Sequence, residues 1–424
     1  MAIQMNDQYS VALLSTKVGS LIESGSLHRE DQPMHKRRFL LAVTGGVAAY
    51  KSCELTRLLV KAGHHVEVVM SEAATHFVGA ATFQALSGQP VYVDLWDSRP
   101  DNGMAHIDLS RRADAMLIAP ASANVIARLA NGLCDDLITT LAAARTCPLY
   151  VAPAMNRQMW ENPANQRNIA LLRQDGIGIF GPGHGEQACG ELGDGRMLEP
   201  AALFDLLEGC EIAPVLHGRK VLLTAGPTFE PIDPVRGITN ISSGKMGYAL
   251  AQACRDAGAD VTLITGPTAL PIPHGVRAIA VQSAQAMLQA VEANLAGQAV
   301  FIAVAAVADY RIKHASEHKM KKTGQAPVLE LTENPDILAT VAARPDAPFC
   351  VGFAAESQNL LEFAEQKRVR KGIPLLVANL AQAAMGADDN EIVLLDAHGQ
   401  HPLPRQSKRQ AANAIVTHIA KLLD

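Results

Sequence analysis

From Arg38 onward, apolar and polar positions follow two alternating periods. FLLAV (39–43) is an unbroken apolar run that ends at the glycines of TGG (44–46). VAAYKSCELTRLLVKAGH (47–64) then places apolar residues at helical spacing, and HVEVVM (65–70) returns to a strand-like run. A continuous apolar strand reads as buried on both faces, and strand–turn–helix–strand is the βαβ unit. The pattern continues through ADAMLIAPASANVIARLANG (113–132) and CPLYVAPAMNRQMW (147–160). At Lys220 the same opening recurs, with the strand KVLLTAGPT (220–228), the helix GKMGYALAQACRDAGA (244–259) and the strand DVTLITG (260–266). Further strands are predicted at Val300–Val304, Cys350–Phe353 and Leu375–Ala378.

The pattern predicts an α/β protein of two doubly wound, Rossmann-like domains. Each has a mostly parallel sheet, helices on both faces and a ligand at the carboxyl ends of its strands. LFDLLEGCEIAPVLHG (203–218) reads as a helix followed by a proline–glycine break. The expected organisation is an extension over residues 1–36, a first domain over 37–215 and a second over 216–424.

Composition narrows the function classes. A length of 424 residues suits two domains rather than one core. Hydrophobic residues make up 48% and charged residues 19%, as in a soluble globular protein. The net charge of -5 gives no basic footprint for nucleic acid. AVFIAVAAVA (299–308) falls well short of the roughly 20 residues that span a bilayer, so it reads as a buried strand with its following turn. The seven cysteines form no C-x-x-C pair, and such a sparse, odd set suits a reducing cytoplasm. In the first 36 residues the basic cluster His35–Arg38 follows the apolar part, the wrong order for a secretion signal. This segment reads as a flexible extension without a catalytic role.

Both domain openings lead from a strand through glycines to a helix start, where backbone N–H groups favour anions. GITNISSGKMGYALA (237–251) has the look of a mononucleotide P-loop, but Gly244-Lys245 is followed by Met246, and Thr239 stands where that motif needs its first glycine. Read from the residues alone, Asn156 can serve as a helix cap, His106 as a surface or capping residue, and Cys189 as an inert thiol.

TGGVAAYKS (44–52), APASAN (119–124) and PAMNRQMW (153–160) together give the first domain a resemblance to the FMN-dependent phosphopantothenoylcysteine decarboxylases. His106 in GMAHIDLS and Cys189 in QACGELGDGRM fall in the family's order, and the resemblance spans roughly residues 38–210. It implies FMN contacts at Gly45, Gly46, Val47, Ala48, Ser71, Ser122 and Asn124. A cysteinyl carboxylate leaves as CO₂ only when the electrons have somewhere to go. Oxidation by FMN provides a thioaldehyde as that sink, and the enethiol left after CO₂ loss must then be reduced and protonated. The resemblance makes Cys189 the proton donor, gives His106 the oxidative and decarboxylating half, and has Asn156 hold the substrate carboxylate.

LTAGPTFEPIDPVRGITNISSGKMG (223–247) is similar to the opening of bacterial phosphopantothenate–cysteine ligases. AAVADY (305–310), HKMKK (318–322), ENPDIL (333–338), VGFAAES (351–357) and EFAEQKRVRKG (362–372) follow in order. That family activates a carboxylate with CTP as an acyl-cytidylate, which the cysteine amine then attacks. Neutralising a triphosphate beside a carboxylate calls for cations, backbone amides and Mg²⁺. The resemblance implies Lys319 for acyl-cytidylate formation and Asn240 for consuming that intermediate. It puts Asp309 on the nucleotide or metal side, with no metal ligand set assigned. It also implies nucleotide contacts at Ser242, Ser243, Gly244, Asn334, Pro335, Asp336, Ile337, Phe353, Lys367 and Lys371. His318 stands where relatives often carry an acid, and Met320 where they often carry isoleucine. Lys367 and Lys371 are four apart and share one helix face, although the basic run QKRVRK also suits a solvated surface.

The two resemblances together imply a bifunctional cytoplasmic enzyme with FMN, Mg²⁺ and CTP. They also imply a homo-oligomer, with trimers of the first domain assembled into a dodecamer and the second domains paired. Nucleic acid and membrane are not expected partners. Two alternatives are a related flavin-dependent decarboxylase or prenyltransferase fused to another nucleotide domain, and a non-enzymatic regulatory relative. The regulatory reading requires the loss of His106, Asn156, Cys189 or Lys319, and all four are present.

Overall fold

The computed structural model describes residues 36–96, 105–321, 327–356, 360–380 and 389–423. The predicted extension therefore lies, up to residue 35, outside the described residues. The chain divides into two compact units, Met1–Met197 and Leu198–Asp424.

The first unit opens with β1 (Arg38–Val43), α1 (Ala49–Lys61), β2 (His65–Met70), α2 (Glu72–Thr75), α3 (Ala80–Ser87) and β3 (Val91–Tyr92). It continues with α4 (Ala105–Arg112), β4 (Ala115–Ala121), α5 (Ala123–Ala130), α6 (Leu137–Ala144) and β5 (Leu149–Pro153). Then come α7 (Arg157–Glu161), α8 (Pro163–Gln174), β6 (Gly178–Ile179) and the hairpin strands β7 (Gly183–Glu186) and β8 (Leu192–Arg196). Six strands form one parallel sheet in the order β3-β2-β1-β4-β5-β6. The apolar runs seen in the sequence are its buried centre: Leu40, Ala42, Met116, Ile118 and Val151 share one core with Val125, Ile126 and Leu141 from the helices.

The second unit begins with α9 (Pro200–Gly209), β9 (Lys220–Ala225), the hairpin strands β10 (Phe229–Pro231) and β11 (Gly237–Thr239), α10 (Lys245–Asp256) and β12 (Asp260–Thr265). Next are β13 (Arg277–Ala280), α11 (Ala284–Asn294), β14 (Val300–Ala303), β15 (Tyr310–Ile312), β16 (Leu331–Glu333) and α12 (Ile337–Ala342). The chain ends with β17 (Phe349–Glu356), α13 (Leu360–Lys371), β18 (Leu375–Leu380), β19 (Asp389–Asp396), β20 (Gly399–Ser407) and α14 (Lys408–Leu423). Its sheet runs β13-β12-β9-β14-β17-β18-β19-β20, parallel as far as β18 and antiparallel beyond. The antiparallel edge was not foreseen from the sequence, because β19 has only the short apolar run IVLL (392–395) and β20 is mostly polar and carries two prolines.

The two wound sheets agree with the predicted fold class. In each, the strand order reverses beside the first strand, between β1 and β4 and between β9 and β14. Such a switch point opens a crevice outside the carboxyl ends of the strands. Glycine 247 shows how α10 comes to lie over β9: a Cβ there would collide with Ala225 Cβ, so the helix seats only with glycine at this position. No helix among the described residues is long and apolar enough to cross a membrane.

Candidate functional site

In the first unit, Thr44 links the two strands that flank the switch point. Its Oγ1 donates to Pro120 O (2.7 Å) and accepts from Ser122 N–H (3.0 Å). A cleft of about 920 Å³ opens there. Gly45, Ser71, Ser122 and Asn124, all expected from the sequence, line it. A Cβ on Gly45 would come 2.5 Å from Ala73 Cβ, so glycine lets this turn lie against α2. Ser71 caps α2 through Ala74 N–H (3.2 Å), and Ser122 caps α5 through Val125 N–H (3.4 Å). Both serines therefore bring a helix start and a hydroxyl to the cleft. Arg128 lines the wall together with the two carboxylates it pairs with, Asp135 at 2.8 Å and Asp136. The structure does not bring Gly46, Val47 and Ala48 into the lining: Gly46 has open space where a Cβ would be, and Val47 is 58% exposed. Close approach explains Gly45 and leaves Gly46 unexplained.

A second group assembles where α7 meets the β7–β8 hairpin. Asn156 caps α7, its Oδ1 accepting from Gln158 N–H (2.9 Å) and Met159 N–H (3.2 Å). Its Nδ2 donates to Glu191 Oε2 (2.7 Å) and lies 3.9 Å from Cys189 Sγ. The capping role and proximity to the thiol thus coexist in one side chain. The hairpin is held in place by Met155 N–H to Gly195 O (2.9 Å) and Arg157 N–H to Gln187 Oε1 (3.0 Å). Gly195 (φ +128) has room for no side chain against Met155 O. Cys189 is exposed on the turn between the hairpin strands. Buried Cys254 contrasts with it: desolvation pushes its thiol up to about 12. His106 lies at the start of α4, directly after residues 97–104, which fall outside the described residues together with its own side chain. Glu191, which orients Asn156, was missed in the sequence; its only signal was its place two residues after Cys189.

The second unit concentrates its candidates. A cleft of about 960 Å³ lies at the carboxyl ends of β9, β14, β17 and β18. Asn240, Ser242, Ser243 and Gly244 form one wall, at the open start of α10. Gly244 has φ +74, and a Cβ there would come 2.9 Å from Thr268 Cγ2 and 3.4 Å from Gly226 Cα. This tight turn thus depends on glycines at 226 and 244. Asn240 Nδ2 donates to Val307 O (3.1 Å) and Ala306 O (3.3 Å), which ties the wall to the turn after β14. Asp309, Asn334, Pro335, Asp336, Ile337 and Phe353 line the opposite side. Asn334 Nδ2 donates to Ala308 O (2.8 Å), and its N–H donates to Asp309 O (2.8 Å).

Lys367 and Lys371, on one face of α13, both reach this cleft. Lys371 Nζ sits 2.7 Å from Asp336 Oδ2, and Asp336 also caps α12. Burial raises the Asp336 carboxyl, but the Lys371 hydrogen bond and the Ala339 N–H outweigh it and hold the group below the usual carboxylate range. The basic run is thus a cleft wall rather than only a solvated face. Lys408 and Asn379, not singled out in the sequence, line the same cleft. No glycine or serine motif surrounds either of them, and only the fold brings them in.

Lys319 is not in the lining of the cleft; it is exposed on the segment after β15. Its neighbours are tethered. Buried Asp233 Oδ2 accepts from Met320 N–H (3.1 Å), Arg236 donates to Met320 O (3.1 Å), and Ser316 N–H donates to Ile232 O (2.9 Å). Asp233 also takes Arg236 Nε (3.0 Å) and the N–H groups of Val235 and Arg236 (2.9 Å each). The Arg236 guanidinium above all, with these amides, holds the Asp233 carboxyl far below its usual range. The spacing of Asp233 and Arg236 gave no sign of a partner near residue 320.

Residues 27–210 match the family described as Flavoprotein, and residues 216–423 match the DNA/pantothenate metabolism flavoprotein C-terminal domain. The chain is 47% identical to the "Coenzyme A biosynthesis bifunctional protein CoaBC" of Vibrio cholerae, covering 91% of this chain and 98% of that protein. It is 46% identical to the protein of the same name from Vibrio vulnificus, covering 92% and 99%. The corresponding protein of Escherichia coli is 43% identical, covering 92% and 98%.

Proposed function

Because this chain belongs to the family of bifunctional coenzyme A biosynthesis proteins, with an N-terminal FMN-dependent decarboxylase and a C-terminal ligase, we propose that each reaction runs on the residues gathered in its own unit. We put the domain boundary between residues 215 and 216; the interval between the two family matches supports it, whereas the compact units divide after Met197 and so give α9 to the second unit.

The ligase joins 4'-phosphopantothenate to L-cysteine and uses CTP to form an acyl-cytidylate. The single observation that carries this reading is the gathering of the 240–244 wall, the 334–337 turn and both α13 lysines around one cleft. The α10 start and Ser242–Gly244 offer amides and hydroxyls to phosphates. Lys367 and Lys371 supply positive charge, and Phe353 an apolar face. Asp309, exposed at the cleft, has the hard oxygen donors that Mg²⁺ prefers. Lys319, on the segment tethered to Asp233, is the cation assigned to acyl-cytidylate formation. Asn240 serves the attack of cysteine on that intermediate.

The decarboxylase converts the ligase product to 4'-phosphopantetheine. FMN, when bound, takes up an electron pair from the substrate and returns it. The first cleft fits the group: it is large enough, and Ser71, Ser122 and Asn124 present polar atoms at two helix starts. Asn156 would hold the substrate carboxylate and Cys189 would protonate the enethiol-derived carbon. Their proximity, with Asn156 Nδ2 3.9 Å from Cys189 Sγ, supports a common role, and His106 assists the oxidative half.

The proposed assembly is a homo-oligomer in which trimers of the first unit build a dodecamer and the second units pair; exposed apolar side chains such as Val47, Tyr50, Phe77, Val235, Ile241 and Leu331 are surface that association would cover. A cytoplasmic location agrees with the thiol content.

The test is an assay of the purified protein with phosphopantothenate, cysteine and a panel of nucleotides, following pyrophosphate and CO₂ separately. Pyrophosphate release with CTP, followed by CO₂, is expected. If no nucleotide yields pyrophosphate, the ligase reading fails. If synthetic phosphopantothenoylcysteine yields no CO₂, the decarboxylase reading fails.

A further inference from the structure

Three chemistry-bearing side chains of the second unit are used by neither reaction. Asp396 ends β19, His401 lies in β20, and His418 lies on α14. None of them lines the ligase cleft. Lys408, which does, is ten residues before His418 on α14, about 15 Å along a helix axis.

The cluster has a fixed centre. Asp396 is buried, and its Oδ1 accepts from the N–H groups of His398 (2.7 Å) and Gly399 (3.1 Å) in the turn between the strands. Gly399, at φ +127, permits that turn. The carboxylate is thus oriented by backbone, and its Oδ2 meets two imidazoles. His418 Nε2 is 2.8 Å from it and His401 Nε2 is 3.1 Å from it. The donor atoms of all three residues lie within 4.8 Å of one another. Both histidines keep partial access to solvent.

We propose that Asp396, His401 and His418 form a binding site for one divalent transition-metal ion of the zinc class, with water in the remaining position. The ion would clamp the β19–β20 hairpin to α14. Donors about 2.0–2.2 Å from a tetrahedral ion stand about 3.4 Å apart, so the Asp396–His418 and Asp396–His401 pairs, at 2.8 and 3.1 Å, need to open by about 0.3–0.6 Å, and all three donors already lie within 4.8 Å of one another. Hydrogen bonding alone requires both rings to aim an Nε2–H at the same carboxylate. A metal ion takes the same convergence with the proton moved to Nδ1 of each ring. Two imidazoles and one carboxylate favour zinc, cobalt, nickel or copper over magnesium and calcium. The local charge agrees. With neutral rings the cluster carries one negative charge, and the nearby α13 charges, Glu365 and Arg368, pair with each other at 2.6 Å. This site is separate from the Mg²⁺ proposed at Asp309, whose donors are oxygens.

The experiment uses the full-length flavin-loaded protein, stripped of metal with a chelator. Equilibrium dialysis against micromolar Zn²⁺ is expected to load one equivalent per chain and raise the thermal midpoint. X-ray absorption at the zinc edge should show nitrogen and oxygen neighbours without sulfur, which separates this site from the seven cysteines. His401→Gln and His418→Gln should each lower Zn²⁺ affinity at least tenfold and abolish the thermal shift, with ligase and decarboxylase turnover unchanged. If one variant fails to fold, the other still decides. Absence of a bound equivalent, sulfur in the zinc shell, or undiminished uptake in a folded variant would overturn the site.

Discussion

The two units begin with the same strand–glycine–helix opening and treat it differently. In the second, almost every expected residue converges on one cleft at the switch point, and only Lys319 stays outside. In the first, the expected residues split between the cleft at Thr44–Ser122 and the group formed by Asn156, Glu191 and Cys189. Part of the glycine loop, 46–48, also lies outside the cleft lining. A cofactor that stays and a substrate that comes and goes can occupy adjoining places, so the first unit needs no single pocket. On the proposed reading the ligase brings a triphosphate and a carboxylate to the same point, which accords with the way its charges are collected.

The comparison can be broken most sharply at Lys319. Lys319→Gln should lower pyrophosphate release by on the order of 10³-fold. Decarboxylation of supplied phosphopantothenoylcysteine should be untouched. Near-normal release in this variant would mean that the cleft is complete without the lysine. On the decarboxylase side, Cys189→Ser is expected to release CO₂ and accumulate the enethiol, with the reduced product falling by roughly 10²-fold or more. Product analysis by mass spectrometry reads this, and normal reduction would remove Cys189 from the proton path.

Asp233→Asn sharpens the contrast between the cleft and its outlying lysine. Losing the tether should cost up to about 10²-fold in ligase turnover, because a misplaced catalytic group is far less effective than a positioned one. The KM for CTP should change little, since Asp233 lies outside the cleft lining. A rise in KM alone, at normal turnover, would contradict the tether. Gly244→Ala should be milder. Its φ of +74 costs a side chain about 1–2 kcal/mol, and the Cβ must displace Thr268. Calorimetry should find a midpoint a few degrees lower together with weaker CTP binding; an unchanged midpoint would argue against the tight turn.

The smallest effect is acid sensitivity. Asp336 is held below its ordinary range by Lys371, so the pair contributes fully above the unfolded carboxylate value of about 3.9. That contribution is lost as the pH falls through the lower folded value. Asp336→Asn should remove this part of the acid dependence and leave stability at neutral pH only slightly reduced. An unaltered acid profile would show that the pair contributes nothing.

Much of the fold was legible because buried parallel strands are written as unbroken apolar runs. FLLAV, AMLIAP and KVLLTA are central strands, and both clefts opened at their carboxyl ends, which glycines mark after FLLAV and KVLLTA. The lysines of α13 were legible for a related reason, since a spacing of four fixes a shared helix face whatever lies opposite. The hairpin edge β19–β20 was not, because a four-residue apolar run and a mostly polar strand with two prolines carry no clear strand period. Glu191 and Asp233 escaped because their contacts with Asn156 and Met320 cross long stretches of sequence, and Lys408 and Asn379 because only the fold brings them to the cleft.

The sequence by itself determined the two wound sheets, the family and the residue types available for each reaction, because burial periodicity and dense local motifs are local properties. Only the tertiary structure decided which residues meet. It turned Asn156 into both cap and thiol neighbour, tied the Lys319 segment to Asp233, and brought Asp396, His401 and His418 together across a hairpin and a helix. These contacts depend on strand order and helix packing, which are set by the burial of the whole core and are written in no single stretch of chain.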